Sequence, residues 1–253
     1  MSDIELIEPV DREAELDRLA ARYRAADSAG IRLLNMVGGQ AEGLLERLPR
    51  PVRSGLDGAT EKALTLALAA ARRSRGRIPD QRPWVNTALT TAMGAAGGFG
   101  GLPSALVELP MTTTVLMRAI QAAAAENGFD PSLESVQFDC LRVFGSAGPL
   151  ERDDGADLAF VSLRLTLSGG AVQKLIRTVA PKLAVVLGQK LAAQTVPVLG
   201  AVAGATANYL FTRYYQEVAQ VHFGLRRLAI NADCSEAELI AALRERMDKS
   251  IAR

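Results

Sequence analysis

The sequence predicts an all-α fold, a single-domain helical bundle with two long glycine-rich apolar helical segments, on the strength of three observations. Hydrophobic residues make up 49% of the chain but aromatics only 5%, so Ala, Leu and Val supply the core, a composition suited to close helix packing. Apolar residues recur at three- and four-residue spacing along most of the chain, the period of a helix with one buried face. Glycines, prolines and capping residues punctuate these stretches where helices would start and stop.

At 253 residues the chain is long enough for a substantial core, and one domain over 1–253 is the default. Lys and Arg number 29 against 28 Asp and Glu, a net charge of +1. That balance lacks the basic footprint of a nucleic-acid binder and the acidic tail of a solvating segment, so nucleic acid is not an expected partner. Cys140 and Cys234 are far apart and lack CxxC spacing, and the opening run MSDIELIEPVDREAEL is acidic with no apolar signal core. A reducing, cytoplasmic home is expected.

The first helix starts at about residue 11 and carries Leu16, Leu19, Tyr23, Ile31, Leu34, Leu44, Leu45 and Leu48 among many charges. Gly30 and Gly38-Gly39 break it softly, and Pro49 and Pro51 stop it. A second runs from about Leu56 to Arg75 and closes on the basic stretch Arg72, Arg73, Arg75, Arg77. Such a cluster suits the negative end of a helix dipole, and a phosphate or anionic-lipid contact is its other use. From Pro83 to Met117 the single formal charge is Glu108, in a stretch of bilayer-spanning length interrupted by Gly94, Gly97, Gly98, Gly100, Gly101, Pro103 and Pro110. It reads as two helices joined by a glycine hinge, the later helix beginning near Met111 and ending at Asn127-Gly128.

Asp130-Pro131 supplies an N-cap and a first-turn proline for the next helix, expected to reach about Phe144. The stretch Val161 to Ser168 alternates like a strand, but a lone strand has no sheet to join. Because Leu158, Val161, Leu165 and Ser168 also share a helical face, it is assigned to helix. Helix resumes after Gly169-Gly170. Residues 191–212 then carry no charge at all, which makes them the better membrane-spanning candidate by length. A long helix continues to about Ala229, and Ser235 with Glu238 forms a capping box for the last. The apolar segments 85–117 and 191–212 are expected to pack together, with Gly97, Gly101, Gly200 and Gly204 as helix-packing positions.

Glu108 is the leading polar candidate, because a carboxylate in an uncharged stretch must be paired, protonated or at a water-filled site. Arg118 lies ten residues further on, about 15 Å along a straight helix, so a partner must come from another segment. Lys190, Asn208, Arg213 and His222 flank or occupy the second apolar segment, and either a structural pair or a functional carboxylate would result. His222 is the only histidine, so no His-rich metal site is possible, and no cofactor or metal is expected. A serine or Cys140 nucleophile would need an elbow and an oxyanion loop that are not recognisable. The glycines from 94 to 101 lack the Gly-Lys-Ser/Thr of a phosphate loop.

Two stretches resemble the EcsC protein family: GLPSALVELPMTTTVLMRAI at 101–120 and VPVLGAVAGATANYLFTRYYQEVAQVHFGLRRL at 196–228. The shared features fall on Gly101-Leu102-Pro103, Glu108-Leu109-Pro110, Thr112 to Thr114, Arg118, Pro197, Gly200-Ala201, Asn208 and His222-Phe223. A looser likeness covers about residues 30 to 230. The resemblance implies an α-helical protein of bacterial type, from a family named for the third member of an operon with an ABC transporter. It brings no agreed activity and no catalytic residues. Three functions are expected to compete. The first is a membrane-associated accessory or interaction protein, peripheral or integral at the inner membrane, whose partner is a membrane surface or a membrane protein. The second is a soluble module holding a lipid or other hydrophobic ligand. The third is a hydrolase. Glu108, Thr112, Arg118, Lys190, Asn208 and His222 are the functional polar candidates, and none is assigned a catalytic role.

Overall fold

The computed structural model describes residues 11–37, 46, 48–75, 82–145, 170–193 and 199–251. Its helices are α1 (Arg12–Val37), α2 (Arg50–Arg75), α3 (Pro83–Phe99), α4 (Gly101–Glu126), α5 (Glu134–Gly145), α6 (Ala171–Ala193), α7 (Leu199–Asn231) and α8 (Glu236–Ile251). No strand occurs among the described residues, so the fold is all-α. The alternating stretch 161–168 lies outside them.

Local chemistry sets most of the boundaries. Asp11 caps α1 by accepting the Glu13 and Ala14 backbone N–H groups, both at 3.1 Å. That helix passes through Gly30 without a break. The prolines at 49 and 51 start α2 six residues before the expected Leu56: Val52 and Arg53 bond back to the Pro49 carbonyl, and Pro51 occupies a first-turn position where its missing N–H goes unneeded. The expected hinge is a tight turn at Gly100-Gly101, with Gly101 at φ +67°, a left-handed conformation that glycine adopts without steric cost. From it α4 runs unbroken through Pro110, ten residues ahead of the expected start at Met111. The carbonyl that Pro110 leaves without a helical donor belongs to Leu106, an exposed residue. In turn, α5 begins at Glu134 instead of Pro131, because the Asp130 side chain accepts the Ser132 N–H at 2.8 Å and forms a turn. Ser235 caps α8 through the Glu238 N–H at 3.2 Å.

The 33-residue α7 is the axis of the molecule. One core cluster joins α2, α4, α5 and α6 to its first two-thirds around Phe144, Phe211 and Tyr215. A smaller one joins α1 and α8 to its last third through Leu16, Leu19, Leu225 and Leu239. Its first half lies antiparallel against α3 at backbone contact. A Cβ on Gly94 would fall 2.2 Å from the Gly204 carbonyl oxygen, and one on Gly98 would fall 1.9 Å from that of Gly200. The expected Gly200–Gly204 groove is thus filled by a helix carrying the same four-residue glycine spacing. Further along, the Thr90 and Thr212 hydroxyls meet at 2.7 Å, and Thr87 donates to Gln216 at 3.3 Å.

This contact turns α3 inside out. Its buried residues are Asn86, Thr87, Thr90, Gly94, Gly97 and Gly98, while Trp84, Leu89 and Phe99 are exposed. The uncharged stretch 191–212 is divided between the end of α6 and the start of α7. No helix among the described residues is long and apolar enough to cross a membrane, which corrects the membrane-spanning reading of that stretch.

Glycine substitutions should therefore separate by sign. Gly94→Ala and Gly98→Ala force backbone apart and should destabilise by about 1–3 kcal/mol or more. Gly55→Ala and Gly58→Ala, inside α2 with nothing within 4 Å of the added carbon, should stabilise by about 0.4–1 kcal/mol. Urea unfolding of the four variants checks this, and equal effects would refute the close α3–α7 contact.

Candidate functional site

Around Glu108 the buried stripe of α4 includes Ala105, Leu109, Thr112, Thr113 and Leu116. Helical periodicity therefore drives Glu108 into the core with its apolar neighbours. Opposite it, α3 offers Gly97, where a Cβ would lie 3.0 Å from both the Cβ and Cγ of Glu108. The missing side chain at Gly97 is the space that the carboxylate stem occupies.

Two further helices bring the partners. The Lys190 ammonium of α6 donates to Glu108 Oε1 at 3.1 Å and Oε2 at 2.9 Å. The Asn208 amide of α7 donates to Oε1 at 2.8 Å and, with its other hydrogen, to the Thr90 carbonyl at 2.7 Å. Thr112, one turn along α4, donates its hydroxyl to Oε1. Glu108 is 6% exposed, Lys190 5%, Thr112 3% and Asn208 1%, so the group is closed to solvent. Burial pushes the Lys190 pKa below the ordinary lysine range, against the attraction of Glu108. Beside the group lies a cavity of about 10 Å³, with Thr112, Lys190 and Asn208 on its polar side and Phe144, Phe211 and Tyr215 on its apolar side. That is room for about one water.

The structure thus assembles four of the sequence candidates, Glu108, Thr112, Lys190 and Asn208, and separates the other two. Arg118 donates to the Ser74 hydroxyl of α2 at 2.8 Å, too far along α4 to reach Glu108. His222 belongs to a second cluster, which sequence reasoning missed. There Asp139 and Arg142 of α5 meet His222 and Arg226 of α7. Arg226 donates to Asp139 Oδ2, Arg142 lies 3.5 Å from Oδ1, and His222 Nε2 stands 3.8 Å from Oδ2, an electrostatic approach longer than a hydrogen bond. The Arg226 guanidinium also covers the Phe129 ring at 4.6 Å. Burial raises the Asp139 pKa, but His222, Arg226 and Arg142 outweigh it and hold the carboxyl below the ordinary aspartate value. The signal available in the sequence was Asp139 and Arg142, three residues apart within the otherwise uncharged run VQFDCLRVFG.

The glycine candidates also divide. Gly200 and Gly204 face α3, Gly97 faces Glu108, and Gly101 makes the hairpin turn. Among the described residues no group of three or more His, Cys, Asp or Glu side chains stands where it could hold a metal ion.

A family model described as the EcsC protein family matches residues 44–228, a span that takes in α2 through most of α7 and every member of both clusters. Comparison with curated proteins and with solved structures finds no match.

Removing one partner of the buried pair should be severe. Glu108→Ala and Lys190→Met are each expected to lose about 3–5 kcal/mol of stability, and the double variant much less than the sum. A double-mutant cycle in urea checks this, and additive losses would show the two groups to be uncoupled. Asp139, with a depressed folded pKa, contributes stability that is present above the ordinary aspartate pKa of about 4 and lost as pH falls through the folded value. Asp139→Asn should accordingly be less stable at neutral pH and flatten the acid side of the melting-temperature profile. An unaltered profile would place the acid sensitivity elsewhere.

Proposed function

The chain belongs to the EcsC protein family, and from that footing we propose that it is a membrane-associated accessory protein, seating an uncharged face on a bilayer or on the helices of a transporter-like membrane partner. The observation that carries this reading is the inside-out helix α3. All its exposed positions are apolar: Pro83, Trp84, Ala88, Leu89, Ala92, Ala96 and Phe99. Trp84 and Phe99 are each 67% exposed.

The neighbouring helices extend the face. Val107 and Met111 are exposed on α4, and Tyr209 on α7; both helices pack directly on α3. Across residues 83–117 the only ionisable side chain that could interrupt it, Glu108, is buried on Lys190. Exposed apolar side chains gathered on one helix and its neighbours mark an interaction surface. Its form is that of a helix lying in a membrane interface, apolar on the outside and without the length to span. The competing reading, an internal lipid pocket, has beside Glu108 a cavity of about 10 Å³, far below the ~300 Å³ at which ligand pockets begin.

Vesicle flotation tests the proposal. The wild-type chain should float with lipid vesicles, and Phe99→Asp or Val107→Asp should lower partition by roughly tenfold or more. Leu66→Asp, at an exposed position on α2, should leave it unchanged. A chain that stays with the soluble fraction against every vesicle and in native membranes has some other function. Floating that all three aspartates weaken equally would argue against this face.

A further inference from the structure

We propose that the uncharged face is bordered by a rim of arginines that seats on the phosphates of anionic phospholipid, so that lipid charge decides whether the protein is bound. The inference rests on the membrane reading above and adds to it the class of lipid.

Each of the three apolar runs is closed by an arginine. On α3 the exposed Arg82 stands two residues before Trp84. On α7 the exposed Arg213 follows the exposed Tyr209 by four residues, one turn along the same side of the helix. On α4 the run past Met111 reaches Arg118, which bonds to Ser74 and so fastens the end of α2, with its exposed Arg73, beside it. Arg82 and Arg118 are each 18 residues from the Gly100 turn. At the helical rise of about 1.5 Å per residue, antiparallel arms of equal length bring both to one level.

Acidic residues are few in the sequence around these arginines. Five arginines and a single acid, Asp80, fall between residues 72 and 82. The acid on α7 after Arg213 is Glu217, and it is held by Arg22 at 3.1 Å. The whole chain carries only +1, so the excess at the rim is local and does not reflect a generally basic protein.

A helix lying in the interface sinks its apolar side into the hydrocarbon layer and leaves the arginines that border that side against the last layer, the lipid phosphates. Arginine suits the last layer because its planar fork donates two hydrogen bonds to one phosphate. An acidic protein would answer the arginines alone. A lipid surface answers the arginines and the uncharged face together, at the spacing in which they occur.

The test compares flotation on vesicles of phosphatidylcholine alone with vesicles containing phosphatidylglycerol, for wild type and for Arg82→Gln/Arg213→Gln, with circular dichroism melting as the folding control. Wild type should prefer the phosphatidylglycerol vesicles, and added salt should erode the preference. The double variant should melt as wild type and lose about fivefold in that partition per arginine, roughly twenty-fivefold in all, while keeping its weaker binding to phosphatidylcholine. Equal wild-type binding to both compositions overturns the rim and leaves the apolar face standing, as does a double variant that keeps the preference. Wild type that floats with neither composition overturns the membrane reading and the rim with it.

Discussion

The approach of α3 to α7 at backbone contact is the constraint on which the rest of the structure turns. Gly94 and Gly98 lie against Gly204 and Gly200 with no room for a single added carbon. At that separation there is no space between the helices for large apolar side chains, so α3 buries glycine, threonine and asparagine and sends Trp84, Leu89 and Phe99 outward. Hydrophobic burial therefore does little for α3 itself. Its place is held by close backbone packing and by the hydroxyl and amide bonds along the seam.

The same approach explains why Glu108 is paired as it is. With Gly97 above the carboxylate and water shut out by α3 and α7, its charge has to be answered by protein groups. One donor comes from its own helix, one from α6 and one from α7. A buried ion pair of this kind is weak evidence of stability, since desolvation consumes much of its attraction. What it does provide is linkage between helices: the Lys190 ammonium ties α6 to both carboxylate oxygens on α4, and Asn208 spans from that carboxylate to the Thr90 carbonyl of α3. The Asp139 cluster links α5 to α7 in a related way at the other end of the axis, but with Arg226 partly exposed and therefore more open to solvent.

How far the sequence could be read depended on whether a feature was periodic or relational. Helix identity, the presence of a glycine hinge among residues 94–101 and the final cap were legible because each is written in a few adjacent residues. The need of Glu108 for a distant partner was legible from charge accounting alone, and Lys190 and Asn208 were among the groups available. The Asp139 cluster was not, because its members lie far apart and each looks like an ordinary helix-surface charge until α5 is known to be buried on nearly every side. Pro110 misled for a related reason. Proline disfavours a helix interior through one lost bond and one clash, whereas tertiary packing of α4 on α2, α3 and α7 acts on every turn of it and prevails. The inside-out order of α3 was hidden for the opposite reason: apolar residues at helical spacing read as a buried face, and only the glycine seam on the other side reveals which face is inside.

An inside-out helix on a chain of almost neutral charge has a physical corollary. In water, the outward Trp84, Leu89, Phe99, Val107 and Met111 leave a patch that costs about 25 cal/mol for each Å² of apolar area kept wet, with no exposed charge along 83–117 to discourage self-association. Natural surfaces interrupt such patches with charges, and α1 of the same chain does so freely, with Glu13, Glu15 and Asp17 in its first turns. A chain that charges one helix heavily and leaves another bare has surfaces suited to two environments. On the membrane reading proposed above, the face built by α3 and its neighbours is the one turned to the less polar environment, while Glu108, the one ionisable side chain of residues 83–117, is folded inward on Lys190.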